Sequence, residues 1–257
     1  LLDKARVYVF DQGCELSCGS CAVTGAVMWR REIYCGAQCK CDLAEVFSWS
    51  YLHNQLVKIY GRDNIRLKNV LDALVAQGIP LAQSPNPGTL LNDTFPNTPC
   101  SHTRLPEVKH ITHASQYRYW SYEPIFTAKK KFPGTPEEKE ALFRKQLVPN
   151  TIAWIDQNVP VIVGLLVTEN FRHLGTQDCL WKSPDPLTGA KGHALLVVGF
   201  DDSTQEFQVL NSYGTGWGCE GIARISYADF TRTVQEGYVL TFNFGAGKKV
   251  ECPPVRK

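Results

Sequence analysis

The 257-residue chain is 44% hydrophobic and 20% charged, with 6 Trp, 12 Phe and 10 Tyr. That apolar content can bury a sizeable core and excludes intrinsic disorder. A formal charge of +2, from 27 basic against 25 acidic residues, gives no field for nucleic acid or an anionic membrane. The longest apolar run, Val159 to Val167, contains Pro160 and is about half as long as a bilayer-spanning helix, so no membrane insertion is expected.

In chain order, Ala5 to Phe10 alternates β-branched and aromatic residues and reads as a strand, followed by a polar turn from Asp11 to Gly19. From about Ser20 the spacing of Val23, Ala26, Val27 and Ile33 is helical. Leu43 to Tyr60 and Leu67 to Gln77 also read as helices, the second closed by Gly78 and Pro80. Residues 84–106 carry five prolines and read as a loop, with a glycosylation sequon at Asn92. Lys129-Lys130-Lys131 reads as a solvated loop. Thr135, Pro136 and Glu138 predict a capped helix from Pro136 to Val148. Val161 to Val167 reads as a buried strand, and His193 to Phe200 with Glu206 to Leu210 as a hairpin around Asp201-Asp202. Further strands are expected at Ile222 to Ile225 and Tyr238 to Phe244. Helices crowd the first half and strands the second, which indicates an α+β protein.

Ten cysteines against one methionine is the unusual count, and six of the ten lie between Cys14 and Cys41. Most are expected to form disulfides, which places the chain in an oxidising compartment, secreted or otherwise extracytoplasmic. The sequence opens on Leu1 with no signal peptide, so a removed upstream segment or a longer gene product is expected.

Three elements bear on chemistry. Cys18-Gly19-Ser20-Cys21 stands at the mouth of a helix, where orphan N–H groups and a partial positive charge favour a thiolate. His193 opens a strand that is apolar on both faces. Asn211 closes the partner strand, so antiparallel pairing would set its amide beside the imidazole, fix one tautomer and leave the other ring nitrogen for a thiol.

Together with Gln12-Gly13, the blocks Ser17-Cys18-Gly19-Ser20-Cys21, Gly192-His193-Ala194 and Asn211-Ser212-Tyr213-Gly214-Thr215-Gly216-Trp217-Gly218 resemble the signature of the papain-like cysteine peptidases, in that family's order. The resemblance implies a single catalytic domain over residues 1–257, with a helical lobe at about 13–99. An antiparallel, barrel-like sheet lobe at about 1–12 and 100–257 would complete it, with the active-site cleft between the two. It implies a thiol protease, a hydrolase of peptide bonds, with Cys21 as nucleophile, His193 as general base and acid, and Asn211 as the orienting amide. Gln12 and the backbone N–H of Cys21 would form the oxyanion hole, each donor worth roughly 3 kcal/mol in the transition state. Tyr213 and Trp217 would shield the His–Asn bond, Cys18 would be a half-cystine, and Gly164 and Ala194 would line the main specificity pocket. No metal and no organic cofactor is implied. The partners are a polypeptide substrate and, as in zymogens of the family, an inhibitory pro-segment; a monomer is expected.

Several features depart from the family pattern. Cys14-Glu15-Leu16 is inserted before Ser17, Ala22 stands where an aromatic is usual, and 172 residues separate Cys21 from His193. The glycine-rich substrate-binding stretch is not recognisable, with Gly61-Arg62-Asp63-Asn64-Ile65 in its place. These are traits of divergent, bacterial-like members. The same fold also serves acyl transfer to amines or binding without turnover. Other readings explain less. Cys14, Cys18 and Cys21 have the spacing of an iron–sulfur ligand set, but that leaves His193 and Asn211 unused. Cys35, Cys39 and Cys41 lack a fourth zinc ligand at a usual spacing. Gly214, Gly216 and Gly218 have the wrong spacing for a nucleotide loop. His102, His110 and His113 read as surface histidines rather than a cleft-blocking exopeptidase loop.

Overall fold

In the computed structural model, which describes residues 8–38 (side chains to 33), 46–62, 65–83 and 94–242, the first helix α1 spans Cys18–Gln38. It starts ahead of the apolar repeat, so Cys18 and Cys21 both lie in its opening turn, and Val23, Ala26 and Val27 are wholly buried. Helix α2, Trp49–Tyr60, begins later than the apolar pattern suggests. Ser48 caps it by accepting from the Tyr51 N–H at 3.1 Å. The residues just before are extended instead: Phe47 bridges Leu81, and the Ser48 N–H donates to Pro80 O at 3.0 Å. Helix α3 occupies Leu67–Gln77 and stops at Gly78, whose φ of +76° and closeness to Ala114 O leave no room for a side chain.

Helix α4, Val108–Ser115, was not legible as a helix, and two histidines expected at the surface are buried in it, His110 at 1% and His113 at 3% exposure. The Glu107 N–H donates to His110 Nδ1 at 2.8 Å, and the two rings pack edge-on against Phe95 and Tyr117. Their imidazoles serve as aromatic core and helix cap. His102 is part-exposed and bonded to Glu15.

Two compact units emerge. One holds Gln12–Tyr122 with the end of the last strand; the other holds Val9–Asp11 and Glu123–Val239. The helix-rich unit thus runs past Pro99 through α4, because Asn54 of α2 bonds Arg104 O at 2.8 Å and Phe47 packs edge-on against Tyr117. In the sheet unit, α5 spans Pro136–Asp156, with Thr135 and Glu138 forming the expected reciprocal cap. It continues beyond Val148 through Pro149, since Phe143, Leu147, Thr151 and Ile155 keep one face on the core at four-residue steps. Replacing Thr135 by Ala should cost about 1 kcal/mol, read as a Tm lowered by about 2–4 °C.

Among the described residues the sheet has seven strands in the order β1-β7-β2-β4-β5-β6-β3. These are β1 Trp120–Pro124, β2 Val161–Val167, β3 Leu180–Trp181, β4 Lys191–Asp201, β5 Glu206–Leu210, β6 Ile222–Ser226 and β7 Val234–Phe242. Strands β1 and β3 and the short helices α6 (Glu169–Arg172) and α7 (Tyr227–Thr233) add to the expected set. Strand β2 is buried almost throughout between β4 and β7, both antiparallel to it. The β4–β5 hairpin pairs Leu196 with Leu210 and Asp201 with Glu206. Residues 8–10 form no strand; the Gly214 N–H donates to Phe10 O at 3.0 Å, and Asp11 bridges Tyr213. Residues 5–7, Asn92, Asp63, Asn64, Cys39, Cys41 and the Cys35 side chain lie outside the described residues.

Lys129–Lys131 forms a single 3₁₀ turn, with Lys129 Nζ 2.6 Å from Glu140 Oε2. Among the described residues two disulfides occur, Cys14–Cys100 and Cys179–Cys219; the half-cystine expected at Cys18 is in neither. No helix among the described residues is long and apolar enough to cross a membrane.

Candidate active site

The candidate residues are distributed over both units. In the helix-rich unit, Cys21 is 2% exposed, in the first turn of α1, which carries no acidic side chain to neutralise the helix's positive end. Cys21 has a thiol, its Sγ 3.8 Å from Ser17 Oγ. Its backbone N–H, expected at the oxyanion, donates to Ser17 O at 2.9 Å. The reason is geometric: with the helix starting at Cys18, Cys21 is the first residue with an acceptor four positions back.

Gln12 is buried. It heads a tight turn in which the Glu15 N–H donates to Gln12 O at 3.2 Å, with Gly13 at φ +56° pressed against Pro99 and Cys100. Gln12 Nε2 donates to Glu15 O at 2.6 Å. Glu15, part of the inserted Cys14-Glu15-Leu16, is itself buried and bonded to His102 and His53. Sequence reasoning missed these contacts because the partners lie 87 and 38 positions away.

In the sheet unit, His193 and Asn211 come together. His193 is the third residue of β4, opposite Leu165 of β2. Asn211 directly follows β5, where its N–H donates to Gly221 O at 3.0 Å. His193 Nε2 lies 2.7 Å from Asn211 Oδ1, with both residues buried. An amide oxygen only accepts, so the Nε2–H donates and Nδ1 keeps its lone pair in the neutral ring. The Tyr213 hydroxyl stands 3.5 Å from Nδ1, too far for a strong bond.

Four aromatic rings crowd this pair. Phe171 of α6 lies 5.5 Å from the imidazole centroid and 4.9 Å from Trp217, whose Nε1 donates to Phe171 O at 2.7 Å. Tyr213 lies 5.0 Å from the imidazole, and Trp181 packs on the edge of Phe171. Phe171 and Tyr213 thus pack directly against the imidazole. Phe171 had no sequence signal beyond following the buried strand.

Gly164 and Ala194 are neighbours across β2 and β4. On its other side Gly164 faces Glu236, and a Cβ there would approach Glu236 Cγ to 2.8 Å, so the glycine makes room for that side chain. Among the described residues no group of three His, Cys, Asp or Glu side chains is placed to hold a metal ion.

Several solved structures with a similar architecture are cysteine proteases. Xylellain from Xylella fastidiosa superposes with a TM-score of 0.65 at 18% identity, covering 91% of this chain and 82% of that one. The fold is papain-like. The Carica candamarcensis cysteine protease CMS1MS2, solved in complex with E-64, gives a TM-score of 0.61 at 17% identity over 94% of this chain and 95% of that one. Digestive procathepsin L 3 from Tenebrio molitor gives 0.56 at 18% identity over 93% and 68%. No family model and no curated protein sequence matches the chain. The papain-like fold is therefore recognisable in three dimensions at identities where sequence comparison finds no relative.

Proposed function

We propose that the protein is a cysteine peptidase that hydrolyses peptide bonds through a thioester, with Cys21, His193 and Asn211 as its catalytic set. The observation that carries this reading is the buried His193–Asn211 hydrogen bond of 2.7 Å, which presents Nδ1 as the proton-accepting nitrogen. The papain-like fold, and a thiol in the first turn of a helix with no acidic residue there, support it.

In this scheme the Cys21 thiolate attacks the scissile carbonyl, and an S–C bond forms while the carbonyl electrons move to oxygen. The oxyanion is held by the Gln12 amide; the Cys21 N–H, already given to Ser17 O, adds less. Collapse breaks the C–N bond, and imidazolium His193 passes its proton to the departing amine. Water, deprotonated by His193, then cleaves the thioester and regenerates the thiol. Tyr213, Trp217 and Phe171 keep water from the His193–Asn211 bond. Gly164 and Ala194 border the specificity pocket, and the chain acts as a monomeric endopeptidase. The reading extends to a secreted zymogen in an oxidising compartment, supported by two disulfides and by the proform of procathepsin L 3.

Intact-mass labelling with a thiol-directed epoxide tests the proposal. One adduct per chain is expected, mapped to Cys21 and lost when the protein is denatured before labelling, together with release of a fluorogenic amine from a peptide substrate. Labelling spread over other cysteines would sink it. Incorporation of an added amine in place of water would assign the site to acyl transfer instead.

A further inference from the structure

The mechanism leaves one buried carboxylate of the helix-rich unit unused. Glu15 is 2% exposed, and an ionised carboxyl cannot leave water without compensation. Three segments supply it. His102 Nδ1 lies 3.0 Å from Oε1, His53 Nε2 of α2 lies 3.4 Å from Oε2, and Arg62 Nε, just past the cap of α2, lies 3.6 Å from Oε2. Arg62 Nη2 also donates to Cys14 O at 2.6 Å. Burial opposes the charge on Glu15, and the contacts with His102, His53 and Arg62 outweigh it, holding the carboxyl below its ordinary range. Burial also holds His53 below the usual imidazole value, the Glu15 contact pulling the other way.

The backbone of the same residue grips Gln12 twice, through the 2.6 Å bond from Nε2 and the 3.2 Å bond back to Gln12 O. Gln12 Nε2 is therefore tethered to Glu15, and in the peptidase reading the same amide group is the oxyanion donor. Because the Cys21 N–H is engaged by Ser17, the placement of that amide matters more here than where two donors share the charge.

We propose that Glu15 is a positioning residue for Gln12: clamped through its carboxylate by His102, His53 and Arg62, it fixes the carbonyl that aims the Gln12 side-chain amide. The kinetic consequence rests on the peptidase reading; the tether itself does not. A carboxyl with a lowered folded-state pKa contributes stability that is complete above about pH 4.5 and is lost as the pH falls toward the lowered value. Experiments at pH 7 therefore compare a fully ionised anchor with its neutral isostere.

The test is Glu15→Gln in the full chain, read first by ¹⁵N–¹H spectra of the Gln12 side-chain amide, which need no substrate. One of the two wild-type amide protons should be shifted downfield and exchange slowly. In Glu15→Gln that proton should move upfield and exchange at least about 10-fold faster. An unchanged Gln12 amide overturns the proposal, whatever the activity. The second reading is kinetic: kcat should fall at least about 10-fold with KM within about 2-fold, since a misaimed donor is lost only to the transition state. Added to Gln12→Ala, Glu15→Gln should cost nothing further; additive losses would overturn the link to catalysis. If Glu15→Gln does not fold, His102→Ala removes the part-exposed anchor alone and should move the Gln12 amide the same way. If the wild type hydrolyses no peptide, the peptidase reading fails separately, and the amide spectra still decide the positioning role.

Discussion

Alanine at Cys21 is expected to reduce kcat/KM for peptide hydrolysis by about 10⁴-fold or more while the protein remains folded. The side chain removed is small, and its loss from the first turn of α1 leaves the apolar face of Val23, Ala26 and Val27 intact. Tm should therefore stay within a few degrees of wild type. His193→Ala should lose a comparable factor, because without the imidazole neither the thiolate nor the leaving amine has a proton partner. The double variant should be hardly worse than either single one, as expected of groups that act as a unit. Asn211→Ala should be milder: the ring stays but its Nε2 loses the 2.7 Å acceptor that selects the tautomer. Hydrolysis that survives Cys21→Ala would mean that the thiol is not the nucleophile.

The largest stability effect should come from the Cys14–Cys100 disulfide, which closes a loop with a sequence separation of 86. Constraining a loop of that size in the unfolded chain is worth about 4 kcal/mol in the chain-entropy account. Cys14→Ser with Cys100→Ser should accordingly lower Tm by about 8–16 °C. The same change at Cys179 and Cys219, separated by 40, should cost slightly less, since halving a loop changes its closure term by about 0.6 kcal/mol. The first pair has a second effect that the other lacks. It holds the turn at Gly13, whose backbone presses on Pro99 and Cys100, and that turn carries Gln12. Thermal scans should show the first disulfide as the larger of the two, and activity below the transition should fall only in the Cys14/Cys100 variant. Equal loss of activity from both would separate the disulfide from Gln12.

What could be read from the chain divides along a physical line. Where local sequence carries its own stop and start signals, as at Gly78 after α3 or at Thr135 before α5, the elements stand where the residues place them. The same holds for the unbroken apolar run of β2, and for the hairpin, whose antiparallel pairing brings Asn211 to His193. Signals failed where distant packing decides. Pro149 reads as a helix end, yet the buried Thr151 and Ile155 beyond it carry α5 on. His110 and His113 read as surface groups because their partners, Phe95 and Tyr117, are not visible as a helix repeat. Phe171 and Glu15 matter through neighbours far along the chain, and no spacing rule connects such residues.

The margins of the sheet have a consequence for behaviour in concentrated solution. One outer strand, β3, is two residues long and leads into Ser183-Pro184; the other, β1, ends on Pro124. A strand that short, or one closed by a residue without an N–H, offers little to a stray chain seeking to add itself by main-chain pairing. Among the described residues, both margins of the sheet are therefore poor templates for aggregation by strand addition.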